Sequence, residues 1–109
     1  MYATHMNRKR LNQIERRIKK IKDEIMSIGE MRPGSLTKQY KDRASQTGAY
    51  YQISYTLKMK SRTDYVRGEF VTDIRQQIKN YKRFKKLSEE WIALGIEHSK
   101  LLMKVKQEG

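Results

Sequence analysis

The chain contains no cysteine, which excludes disulfides, thiol catalysis and thiolate-held zinc within it. Proline occurs once, at Pro33, and tryptophan once, at Trp91. No apolar run approaches the roughly 18 residues of a membrane span, and no apolar signal region follows the basic start. The apolar faces also lack the aromatic wedge that seats a polybasic helix in a membrane surface. These absences predict no membrane partner and a cytoplasmic location. Histidine occurs twice, at His5 and His98, without companion ligands at zinc spacing. No glycine-rich phosphate loop and no paired-carboxylate motif is present. A non-enzymatic protein without metal or cofactor is therefore expected, because catalysis needs several mutually oriented groups. The scarcest resource is negative charge: 12 Asp and Glu face 25 Lys and Arg, for a net charge of +13.

That excess is not confined to a tail. Residues 5–30 carry eight cations against four acids, residues 35–67 seven against two, and residues 69–109 nine against six. A chain this basic repels itself unless its charge meets a polyanion. Nucleic acid is the leading partner, because neutralising phosphates releases condensed counterions. An apolar fraction of 37% beside a charged fraction of 34% suits long amphipathic helices, or an oligomer that completes its core with a partner. At 109 residues one domain is expected.

Periodicity predicts an α+β fold. Leu11, Ile14, Ile18, Ile21, Ile25 and Ile28 recur at spacings of three and four, a heptad seam on a helix from about residue 6 to Ile28. Gly29 is read as its stop. The lead Met1–His5 has no pattern, and Met6 is an alternative start. Pro33-Gly34 signals a type II turn. Three antiparallel strands are expected over 36–41, 50–58 and 61–67, with a polar loop at 42–49 and a short turn at Met59-Lys60. Helix resumes at Glu69 and runs to about residue 107. Its stripes are Val71, Ile74, Ile78 and Tyr81, then Phe84, Leu87, Trp91, Leu94, Leu101 and Val105, with His98 in the remaining seam position. The three-residue step from Tyr81 to Phe84 predicts a stammer or a bend between two helices. The two seams predict a coiled-coil-like antiparallel pairing with the sheet at one end, or pairing of either seam with a second copy as a homodimer.

The segment from Leu36 to Arg67 points most directly to function. Tyr51, Ile53, Tyr55 and Leu57 share one strand phase. The other phase predicts a surface of Thr37, Gln39, Lys41 and Arg43, then Tyr50, Gln52, Ser54, Thr56 and Lys58, then Lys60 and Arg62, with Asp64 near the edge. Such a face suits a groove of duplex DNA, where Arg, Lys and Gln read base edges. The alternative reading is an ordinary solvated sheet face. Residues 75–86 add six cations and no acid, and Arg75, Lys79, Lys82 and Lys86 line one helix face at 4-3-4 spacing. That stripe suits a phosphate backbone, where a solvated helix face normally carries compensating Glu.

The strings Arg32-Pro33-Gly34-Ser35-Leu36, Gly48-Ala49-Tyr50-Tyr51, Tyr65-Val66 and Asn80-Tyr81-Lys82-Arg83-Phe84 occur in that order. They resemble the motifs of a small prokaryotic family of unknown function. The resemblance spans about residues 31–88. Many relatives carry a cysteine-rich, metal-binding-like insert before the Gly-x-Tyr-Tyr strand. Here that place is Lys41–Thr47, without cysteine, so no zinc role carries over. The resemblance brings no activity; members in mobile-element settings imply an accessory role on DNA. The expected partners are thus duplex DNA and a second copy. The alternatives are a coiled-coil interaction module for an acidic protein, or an RNA binder that stacks Tyr50 or Tyr40 on unpaired bases.

Overall fold

A computed structural model describes the backbone of residues 2–108 and the side chains of residues 5–107. The order of elements is α1 (Tyr2–Met26), β1 (Ser35–Asp42), β2 (Thr47–Leu57), β3 (Lys60–Val66), a single 3-10 turn (Gly68–Phe70) and α2 (Val71–Glu108). The fold is α+β. The helix expected from residue 6 already runs at Tyr2; Met1 lies outside the described residues. The step at Tyr81–Phe84 produces no break, and α2 is one helix of 38 residues. The chain forms two compact units, Gly29–Arg83, and Met1–Ile28 with Phe84–Gly109; α2 supplies residues to both.

In the second of these units the α1 seam is used within the chain. Leu11, Ile14 and Ile21 are buried on α1, and Leu87 and Val105 on α2. Burying such a side chain is worth about 1.5–3 kcal/mol, so these residues carry the pairing. The helices run antiparallel: Arg10 meets Glu97 through paired bonds of 2.7 and 2.9 Å, and Arg17 meets Glu90 at 2.6 and 2.8 Å. His98 Nε2 lies 3.0 Å from Glu15 Oε1, and Lys22 sits 5.2 Å from the centroid of the Trp91 ring.

The side-chain hydrogen bond from Arg17 holds the Glu90 carboxyl below its ordinary 4.5, and Arg10 does the same for Glu97. In the unfolded chain both titrate near the ordinary value, so the unfolded state binds more protons just below it. The pairs' contribution is complete above 4.5 and is lost as pH falls through the lower folded-state values. The melting temperature of the wild type should therefore fall on acidification more steeply than that of Glu90→Gln/Glu97→Gln. Parallel slopes would remove these pairs as the cause.

Unit Gly29–Arg83 holds the sheet, in order β1-β2-β3 and antiparallel throughout. Its core is Ile53, Val66, Val71 and Ile78, with Leu36, Tyr51 and Ile74 packed against it. Helix α1 stops two residues before Ile28, and Gly29 takes no positive φ. The end is capped instead by Ser27, whose hydroxyl donates to the Glu24 carbonyl at 2.6 Å. Gly34 does take a positive φ, 146°, but residues 31–34 form no turn; the glycine is needed because a Cβ there would lie 2.6 Å from Ile53 Cγ1.

The β2–β3 turn is Lys58-Met59, one residue earlier than expected, closed by the pair Leu57↔Lys60. Both turn residues have positive φ, 52° and 65°, the type I′ geometry that matches strand twist. Neither is glycine or asparagine, and each such residue costs about 1–2 kcal/mol. Replacing Lys58-Met59 by Asn-Gly should raise stability by about 1–2 kcal/mol in a thermal or urea melt. No rise would mean that the turn is not strained.

Candidate nucleic-acid interface

Residues directly opposed in an antiparallel pair point to the same side of the sheet. Thr37 opposes Gln52 and Gln39 opposes Tyr50. Gln52 opposes Tyr65, Ser54 opposes Thr63, and Thr56 opposes Ser61. The face turned away from Ile53 therefore carries Thr37, Gln39 and Lys41 from β1, Tyr50, Gln52, Ser54 and Thr56 from β2, and Ser61, Thr63 and Tyr65 from β3. It holds no carboxylate, since Asp42 and Asp64 fall in the other phase, and Lys41 is its one cation.

The expectation for β3 is corrected here. Lys60 opposes Leu57 and Arg62 opposes Tyr55, so both lie on the Ile53 side of the sheet. Extending the even-numbered phase of β2 across the turn misplaces them. A two-residue turn pairs odd with even positions, and the phase inverts. Lys58 lies in the turn itself, and Arg43 in the exposed loop 43–46, where the Asp42 carboxylate accepts from the backbone amides of Ala44 and Ser45. The Ser45 side chain first, and then these backbone amides, lower the Asp42 pKa. Asp64 does lie on an edge strand, β3, where it opposes Ile53 and receives Arg32 at 3.4 Å.

The inversion brings in a residue that sequence reasoning did not place on this face. Tyr65 stands beside Tyr50, ring centroids 6.4 Å apart and planes inclined by 33°. Tyr65 is 67% exposed and Tyr50 half-buried. With Lys41, Gly48 and Ala49 the two rings line a shallow pocket of about 490 Å³. Only the hairpin register could have revealed this pair. Tyr40, by contrast, falls in the phase of Leu36, under the Lys38 ammonium at 5.6 Å.

On α2, Arg75, Lys79, Lys82 and Lys86 are exposed. Among the described residues no carboxylate forms an ion pair with Arg75, Lys79 or Lys82. Those three belong to the same unit as the sheet, and Lys86 to the other. Among the searched residues no group of three or more His, Cys, Asp or Glu could hold a metal, and no helix is long and apolar enough to cross a membrane.

The sequence matches the domain of unknown function DUF6788 over residues 11–76, 66 of the 109. The chain belongs to this family. No curated protein and no solved structure matches it. Within the matched span, the Arg-Pro-Gly-Ser-Leu string has a structural account. Arg32 donates its backbone amide to the Gln77 carbonyl at 3.2 Å, stacks its guanidinium 5.1 Å from the Tyr55 ring centroid and reaches Asp64. Gly34 lets the backbone pass over Ile53. Beyond the span, Asn80 donates to the Glu30 carbonyl at 2.8 Å, tying the 29–32 segment to α2. These residues hold the sheet and helix of one unit together.

Proposed function

We propose that this DUF6788 protein is a non-enzymatic nucleic-acid-binding protein that uses the outer face of its sheet. The observation that carries the reading is the Tyr50–Tyr65 pair on a solvent-facing, carboxylate-free surface beside Lys41. Aromatic faces accept stacked bases regardless of sequence, and Gln39, Gln52 and the hydroxyls of Ser54, Thr56, Ser61 and Thr63 offer donors and acceptors to base edges and sugars. Arg75, Lys79 and Lys82 lie on α2, which packs on the Ile53 side of the sheet, so they serve phosphates of a strand that passes round the sheet edge. A face with one cation and two tyrosines favours unpaired bases over a duplex groove.

Duplex DNA, in an accessory role of a mobile element, is the second reading. It draws on the other end of β2–β3, where Lys58, Lys60 and Arg62 are exposed around a turn of two positive-φ residues. Gel shifts on single-stranded RNA, single-stranded DNA and duplex DNA across a salt series separate the two. Preference for single strands with a steep loss in salt supports the first; duplex preference supports the second. Absence of binding to every polynucleotide at low salt sinks both and leaves the charge to an acidic protein partner.

A further inference from the structure

Helix α2 is apolar on two opposite sides between residues 87 and 106. One side, Leu87, Leu94, Leu101 and Val105, is buried or half-buried. The opposite side carries Ile92 at 63% exposure, Ile96 at 54% and Met103 at 57%, bare to solvent. With Ser99 these residues follow a 4-3-4 spacing, so they form one seam. The same heptad register places Glu89 one step before Ile92 and Lys106 one step after Met103. Neither Glu89 nor Lys106 has an ion-pair partner among the described residues.

Charge identifies what covers this seam. Residues 88–106 contain three glutamates, Glu89, Glu90 and Glu97, and three lysines, Lys100, Lys104 and Lys106. They are neutral, so the whole net charge of +13 lies elsewhere in the chain. Glu90 and Glu97 are taken up by Arg17 and Arg10 within the chain, so the seam offers a second copy Glu89 at one end and Lys106 at the other. The seam is also self-complementary in one orientation. An antiparallel crossing between Ile96 and Ser99 sets Ile92 against Met103 and Glu89 against Lys106 of the other copy, twice by symmetry. A parallel crossing would set Glu89 on Glu89 and Lys106 on Lys106, and like charges oppose it.

We propose that the protein is a homodimer through the outer face of α2, with Ile92, Ile96 and Met103 as the antiparallel seam and Glu89–Lys106 as its two end pairs. Each copy brings two paired helices, so the assembly is a four-helix arrangement. The inference is independent of the nucleic-acid reading, and its seam uses no residue of the Tyr50–Tyr65 face.

Sedimentation equilibrium without nucleic acid, at tens of micromolar, tests it. The wild type should have twice the 13.1 kDa mass of one chain. Ile92→Glu/Ile96→Glu should sediment as one chain with an unchanged helical circular-dichroism signal, since both side chains are exposed in the single copy. Glu89→Lys should weaken the dimer by about tenfold or more, as like charges then face each other. Adding Lys106→Glu should restore it. A wild type at single-chain mass, a dimeric Ile92→Glu/Ile96→Glu variant, or a charge swap that does not restore the mass would each overturn the proposal.

Discussion

Gly34→Ala should destabilise the protein by about 3 kcal/mol, the sum of overpacking and left-handed backbone strain. The added Cβ would lie 2.6 Å from Ile53 Cγ1, 2.8 Å from Cδ1 and 3.2 Å from the Ser54 carbonyl oxygen. Ile53 is fully buried among Val66, Val71 and Ile78 and has nowhere to move. At φ 146° an alanine is strained even where space exists. A double-mutant cycle isolates the two causes. Ile53→Ala removes both clashing side-chain atoms, at its own cost of about 2–5 kcal/mol. In that background the added cost of Gly34→Ala should shrink to the backbone term, giving a coupling of about 1 kcal/mol or more in urea melts. Strictly additive effects would mean that the chain before β1 does not rest on Ile53.

Tyr65→Ala should weaken binding to an unpaired strand by about 1–3 kcal/mol, and Tyr50→Ala by a similar amount, the range found for one base stacked on one aromatic ring. In fluorescence anisotropy this is a loss of up to about a hundredfold for each residue. Tyr65→Phe should keep most of the affinity, because the ring face and not the hydroxyl does the stacking. The salt dependence should be unchanged in both alanine variants. Lys79→Ala should act in the opposite way, lowering affinity modestly for all sequences and reducing the logarithmic salt slope by about 0.7 per lost contact on a single strand. Tyr65 is largely exposed, so its variants fold, and a lost signal cannot be blamed on unfolding. Tyrosine variants that bind like the wild type while lysine variants do not would move the interface off the sheet. Arg62→Ala provides the contrast: it should leave single-strand binding intact, because Arg62 lies on the other face.

Much of the fold is legible because its signals are local. The isoleucine seam from Leu11 to Ile28 announces a helix by spacing alone, and the stripe from Val71 to Val105 does the same. The alternation of β2 marks a strand whose Ile53 is buried and whose Ser54 is exposed. The β1 face was also readable, since Thr37, Gln39 and Lys41 do align with Gln52 and Tyr50. The faces that a surface presents were less accessible. Lys60 and Arg62 moved from one side of the sheet to the other because a two-residue turn pairs even positions of β2 with odd positions of β3. Tyr65 came onto the outer face by the same inversion. Ile92, Ile96 and Met103 are not marked by spacing alone, since the stripe from Leu87 to Val105 already accounts for an amphipathic helix.

The sequence by itself determined the elements, the basic character of the chain and the absence of thiol chemistry, because periodicity, composition and residue identity are one-dimensional quantities. Only the tertiary structure decided which strand faces coincide, that α1 spends its seam inside the chain, and that Gly34 serves close packing on Ile53 where a turn was expected. Each of those depends on register between segments distant in sequence, and register is set by turn geometry and mutual burial, which no single segment encodes.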